Sequence, residues 1–173
     1  DGMAVSMSRE SCEVKGGNMA RVMVVYHSRS GHTELMANRI AEALRGEGLE
    51  VLCKKVQDAS AEELLDVDGV VIGSPTYYGT MAGEIKSFLD RSVKYHTRLD
   101  GKVGAAFSTS GSTGHETTVI SILEALLIHG MIIQGDCKSL HYGVTSTGEA
   151  KESDILSCKR FAQRFAALVK RVK

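Results

Sequence analysis

Three short apolar runs constrain the fold of this chain more than any other feature of its sequence. Residues 21–27 (RVMVVYH), 69–73 (GVVIG) and 102–108 (KVGAAFS) lack the polar/apolar alternation of a half-exposed strand. A strand reads this way when both its faces are covered, and helices cover both faces of a parallel sheet. Amphipathic segments lie between the runs. Leu35, Met36, Ile40 and Leu44 share one side of a helix, with Arg39, Glu42 and Arg45 opposite, and Gly46 and Gly48 end it. Further helices are predicted over 82–93, 116–129 and 154–172, and a short one over 61–66 behind the cap Ser60. Residues 49–56 read as an edge strand and 131–137 as the last strand. No Asn-Gly or Asp-Gly pair joins two strands of equal length. The pattern predicts an α/β fold: a doubly wound, five-stranded parallel sheet with helices on both faces.

The length of 173 residues suits one domain, expected over 19–173. Residues 1–18 lack a signal-peptide core and are expected to be an N-terminal extension or remnant outside that domain. With 21 basic and 21 acidic side chains the formal net charge is zero. That argues against a general nucleic-acid binder, which needs a basic footprint. No uncharged run reaches the ~20 apolar residues of a membrane span. The four cysteines (12, 53, 137, 158) form no CxxC pair and no zinc spacing, so they read as reduced thiols of a cytoplasmic protein. No cluster has metal-ligand spacing, and no nucleophile arrangement for hydrolysis occurs. The basic residues from Lys159 to Lys173 suit a solvated helix end.

In such sheets ligands bind beyond the carboxyl ends of the strands. After the first run comes Ser28-Arg29-Ser30-Gly31-His32-Thr33, leading directly into a helix. Hydroxyls and a glycine at a strand-to-helix turn make a nest of backbone N–H groups at a positive helix end, the physics of a phosphate site. The plainer reading is that Ser28 and Ser30 merely cap the helix. The turn is neither a Walker loop nor a G-x-G-x-x-G motif. After the 69–73 run comes Ser74-Pro75-Thr76-Tyr77-Tyr78-Gly79-Thr80-Met81. A rigid loop with two tyrosines suits a flat heteroaromatic ring, although one tyrosine could simply fill core. The third loop, Ser108-Thr109-Ser110-Gly111-Ser112-Thr113-Gly114-His115, offers donors and acceptors to ring heteroatoms, or is a solvated connector.

In order and spacing these segments resemble the flavodoxin superfamily, and most of all the WrbA-type NAD(P)H:quinone oxidoreductases. The resemblance spans about residues 20–172. Its carriers are Ser28, Gly31 and His32, the 73–81 loop, Ile-Lys-x-Phe-Leu-Asp at 85–90, and Phe-Ser-Thr-Ser-Gly at 107–111. His129-Gly130-Met131 and His141-Tyr142-Gly143 complete the set. It implies strand order 2-1-3-4-5 and bound FMN. The phosphate would lie on Ser28, Arg29, Ser30, Gly31, His32 and Thr33. Pro75, Thr76, Tyr77, Tyr78 and Gly79 would flank the isoalloxazine. Ser108, Thr109, Ser110, Gly111, Ser112, Thr113 and Gly114 would line its pyrimidine side, with His129 approaching. Without the family, His129 reads as a core or capping histidine. The chain departs from the WrbA pattern in the short stretch before the 69–73 run, in Ser30 where the family has an aromatic residue, and in having no Trp; Tyr95 or His96 lies nearest that position.

The implied function is electron transfer from NAD(P)H through FMN to a quinone-type acceptor, in a homo-oligomer. The other reading is a flavodoxin acting as one-electron carrier between redox proteins, but a neutral chain lacks the acidic face that steers such carriers. The three loops carry no Asp or Glu before Glu116, so an anionic reduced flavin is less penalised and two-electron chemistry is expected. A response-regulator receiver needs paired acids after the first strand, where this chain has His27 and Ser28. A flavodoxin-like scaffold without flavin is disfavoured by the intact hydroxyl turn.

Overall fold

The computed structural model describes residues 19–173, and the expectation for residues 1–18 falls outside them. The three apolar runs form the middle of one sheet. β1 (Arg21–Tyr26), β3 (Gly69–Tyr77) and β5 (Val103–Ser110) lie parallel and adjacent, and β2 (Glu50–Lys55) pairs with the outer side of β1. Counted as principal strands, the order is the expected 2-1-3-4-5. The alternation of β1 explains why it had to be apolar throughout. Val22, Val24 and Tyr26 are buried under α1 (His32–Gly46) and α4 (Glu152–Val172). Met23 and Val25 are buried on the other face, among residues of α2 (Gly83–Ser92) and α3 (His115–Ile128). Each such side chain contributes about 1.5–3 kcal/mol on burial.

Close backbone approach fixes the centre. A Cβ on Gly73 would fall 2.0 Å from Cζ of the fully buried Phe107 on β5, so this position in β3 has room for glycine alone. The 61–66 segment is a 3₁₀ turn closed by a capping box. Ser60 Oγ accepts from Glu62 N–H at 3.2 Å, and the Glu63 carboxylate accepts from Ser60 N–H at 2.9 Å.

Two expectations change. The last strand is divided, and the 131–137 run supplies only its lower piece. β6 (Ile132–Ile133) pairs with Val103 and Gly104; the chain then leaves the sheet over 134–143 and returns as β7 (Val144–Thr147) beside Phe107–Ser110. The excursion is polar and tied to α4, where Asp136 meets Arg160 at 2.8 Å and Arg164 at 3.9 Å. The division raises the five expected strands to six, and the hairpin strand described next makes the sheet seven-stranded. Second, a hairpin is present. β3 runs on to Tyr77 and turns back as the antiparallel β4 (Thr80–Met81), with Tyr77 opposite Thr80. Tyr78 (φ 51°) and Gly79 (φ 79°) are both left-handed, the geometry of a two-residue turn whose twist matches its strands.

Candidate functional site

The site is built at the carboxyl ends of β1, β3, β5 and β7. Gly31, at φ 91°, caps α1 without any side-chain cap. Ser28 Oγ instead accepts from Gly31 N–H at 3.1 Å, so this hydroxyl shapes the turn. The first amides of α1, those of His32, Thr33 and Glu34, have no carbonyl within the helix to reach. The acid of that first turn is held aside. Glu34 accepts from Lys55 (3.1 Å) and from the Tyr26 hydroxyl (3.0 Å), and these bonds hold its carboxyl below the usual range. An uncapped positive helix end is what remains.

The neighbouring loops are braced by hydroxyl pairs. Thr33 Oγ1 and Thr109 Oγ1 lie 2.8 Å apart and are buried, joining the start of α1 to the end of β5. Ser74 Oγ accepts from Ala82 N–H at 2.8 Å and closes the base of the β3–β4 hairpin. Thr118 Oγ1 donates to Thr76 Oγ1 at 3.0 Å, and Thr117 Oγ1 donates to Gly79 O at 2.7 Å, which fastens the hairpin to the start of α3. Ser108, Thr109 and Ser110 belong to β5 and are buried, so the loop read from 108 onward begins at Gly111. Their outward polarity is satisfied locally: Ser108 Oγ donates to His115 O at 2.7 Å.

A depression of about 470 Å³ opens between these ends. Arg29, Ser30 and His32 line it from the first turn, and Pro75, Thr76 and Tyr77 from the second. Thr109, Ser110 and Gly111 complete the third side, with no carboxylate along the rim among the described residues. This volume lies within the range of small-molecule sites. The other expected residues stand around it in different capacities. Ser28, Gly31 and Thr33 form the turn beneath it. Tyr78 stands on the hairpin tip, fully exposed. Gly79 and Gly114 press together, since a Cβ on Gly114 would lie 3.1 Å from Gly79 Cα. Ser112 and Thr113 are exposed on the loop's outer turn.

His129 is not brought to this site. It follows α3, which starts at the site and runs for 14 residues, about 21 Å at 1.5 Å per residue, to the opposite edge of the sheet. There it is buried, with Nε2 2.8 Å from Ser92 Oγ and its ring 5.7 Å from that of His96. Ser92 Oγ already donates to Leu89 O, so the hydrogen-bond pattern assigns the His129 proton to Nε2. Nδ1 then has no partner among the described residues. Burial, and then the neighbouring His96, push the His129 pKa below its usual value. Tyr95 and His96, nearest the missing tryptophan, share this distant edge.

Sequence reasoning missed Gly148, which lines the depression at φ 71° and donates to Ser110 O at 2.8 Å. The signal was present in Val144-Thr145-Ser146-Thr147-Gly148, an alternating strand that ends on a glycine.

The residues fit a phosphate-bearing heteroaromatic group. The α1 amides, Ser30 and Arg29 suit the phosphate, and nothing lies within 4 Å of where a Cβ on Gly31 would stand. Tyr77 and Pro75 offer a flat wall. Gly111 and Gly148 are equally clear of neighbours, leaving backbone to approach a ring edge.

Residues 23–127 match the model of the flavodoxin domain family. A protein of Archaeoglobus fulgidus named NAD(P)H dehydrogenase (quinone) is 34% identical over 190 residues, covering 89% of this chain and all of the relative. A flavodoxin of Aquifex aeolicus is 36% identical over 162 residues, covering 87% of this chain and 88% of the relative. A WrbA-like flavodoxin structure from Agrobacterium tumefaciens superposes with a TM-score of 0.76 at 24% identity, over 89% of this chain and 99% of that one.

Proposed function

This chain belongs to the flavodoxin domain family, and from that membership we propose that it is an oxidoreductase passing electrons from NAD(P)H through bound FMN to a quinone-type acceptor. The observation that carries the reading is the uncapped start of α1 on Gly31, opening onto a depression walled by Tyr77 and, among the described residues, lined by no carboxylate. When bound, FMN supplies the redox chemistry itself. The protein's part is to bind and tune it. The α1 amides and Arg29 hold the phosphate; Pro75, Thr76 and Tyr77 orient the ring; Thr109, Ser110, Gly111 and Gly148 meet its polar edge. With Arg29 and His32 on the rim, negative charge gained on reduction is stabilised, which favours electron-pair transfer. The name of the Archaeoglobus relative supports the quinone reading, and that of the Aquifex relative the one-electron carrier.

We place the protein in the cytoplasm, a reading supported by its free cysteines Cys53, Cys137 and Cys158. Among the described residues no helix is long and apolar enough to cross a membrane. A homo-oligomer is supported by the apolar surface around His129, where Val93, Leu127 and Ile128 are 64%, 57% and 72% exposed. Sedimentation of the purified protein reads that directly. The function is tested anaerobically by loading the protein with FMN and adding NADH or NADPH separately. Bleaching of the flavin by either nucleotide supports the reductase. Bound flavin that ignores both, and yields a one-electron-reduced spectrum only with a chemical reductant, establishes the carrier instead.

A further inference from the structure

His27 is a buried imidazole beside the site whose chemistry the reading above does not use. It follows β1 directly, and its N–H donates to Gly73 O at 3.1 Å, which fixes the backbone on which the ring is mounted. The side chain is 10% exposed, and the ring meets polar groups on both nitrogens. Nδ1 lies 3.1 Å from Gln57 Nε2, and Nε2 lies 3.5 Å from Glu84 Oε1. A third side meets Tyr77 edge to face, with centroids 6.4 Å apart at 72°. Tyr77 in turn walls the depression.

These partners suit either charge state of the ring. An amide nitrogen only donates, so in the neutral ring Nδ1 accepts from Gln57 and the proton on Nε2 faces Glu84. A second proton goes on Nδ1. Gln57 then turns its amide over to accept with oxygen, and the Glu84 carboxylate pairs with the cation. No heavy-atom rearrangement of the ring is needed. Glu84 is half exposed and shares a surface depression with Gln57, Ser87 and Arg91, so the proton has a route from solvent. Of the titratable and charged groups nearby, Tyr77 on β3 and Glu84 on α2 meet the ring itself, Arg91 on α2 shares the depression of Gln57 and Glu84, Asp58 follows Gln57 in the turn after β2, and Arg29 lines the depression that Tyr77 walls.

We infer that His27, held between Gln57 and Glu84 behind Tyr77, is a positioning residue that takes up a proton when the bound flavin is reduced. The inference rests on the FMN reading. With NAD(P)H as donor, a hydride delivers two electrons and one proton to the flavin, leaving one negative charge. A second proton, drawn from solvent, goes to His27 Nδ1 and offsets that charge across the Tyr77 ring.

The test is spectroelectrochemical. FMN-loaded wild type and His27→Phe, which keeps an aromatic edge on Tyr77, are titrated between about pH 5 and 8, where histidine changes charge. One extra proton per two electrons is a tenfold change in equilibrium constant per pH unit, or about 30 mV. Wild type is expected to show that extra slope over part of the window, and His27→Phe to lack it. Glu84→Gln, at a half-exposed position, should move the window to lower pH by removing the partner of the cation. In the wild type, the His27 ring NMR signals should titrate at higher pH in the reduced than in the oxidised protein, which decides the matter even if His27→Phe does not fold. FMN binding, followed by quenching of flavin fluorescence, separates the failures. FMN bound with equal slopes and equal His27 titrations overturns this inference alone; no FMN binding by wild type overturns it together with the function it rests on.

Discussion

The two ends of α3 are built from the same few residue types and do opposite things. At its start, Gly114 is left-handed, and serines, threonines and a histidine surround it, but their hydroxyls are spent joining loops, so that open backbone faces the depression. At its end, Gly130 is left-handed too, and beside it in the chain His129 meets Ser92 and His96, but there the side chains close on one another and a histidine nitrogen is left buried with no partner among the described residues. The edge that carries the depression is the one where side chains satisfy each other and main-chain donors remain free.

The sharpest way to break the comparison is charge. Ser30→Asp sets a carboxylate against a bound phosphate, and at about 5 Å and an effective dielectric near 20 the repulsion is about 3 kcal/mol. FMN affinity, read by fluorescence quenching, should fall roughly a hundredfold, whereas Ser112→Asp, on the outer turn of the third loop, should change it little. Next come the two glycines. Gly114→Ala and Gly130→Ala each force an L residue to positive φ, at about 1–2 kcal/mol of stability, and in Gly130→Ala the new Cβ also meets Asp100 Oδ1. Both should lower Tm, but only Gly114→Ala, which crowds Gly79 and Thr76, should also weaken FMN binding.

Smaller effects sharpen the account. Thr33→Val leaves the buried Thr109 hydroxyl without its partner, at about 1–3 kcal/mol in urea unfolding. The double change Thr33→Val with Thr109→Val should cost less than the sum of the single ones. The gentlest test concerns His129. Its pKa in the fold lies below the usual 6.5, so the unfolded chain binds more protons in the interval between the two values. Stability contributed by the neutral ring is complete above pH 6.5 and declines as pH falls through that interval. Tm of the wild type should therefore drop on mild acidification, His129→Asn should flatten that dependence, and FMN affinity should be the same in both.

What could be read from the sequence follows the same physics. β1 was legible because Val22 to Val25 are covered on both faces and every position reports it. The turn between β1 and α1 was legible as a turn because a glycine among hydroxyls reads as a strand-to-helix junction, and Gly31 takes the left-handed conformation there. β5 was read as ending at Ser108 because Thr109 and Ser110 look like loop residues; in the fold they are buried strand residues, with Thr109 satisfied by Thr33 across the sheet edge. The hairpin escaped notice because Tyr78 takes a backbone conformation usually left to Asn or Gly. His129 stands away from the depression because the 14 residues of α3 carry it to the far edge, whereas a motif records only order along the chain.

The division of the last strand has a consequence for modular change. The chain departs beside Gly104 and rejoins beside Phe107, while Asp136 pins the excursion to Arg160 and Arg164 of α4. Register at the rim is thus set after the detour, by the pairing of Val144 with Phe107, and owes nothing to its length. Residues 137–139 should therefore accept a graft: a peptide tag, a reporter or a second domain spliced there would hang from the flank of the molecule while Gly148 keeps its place beside Ser110.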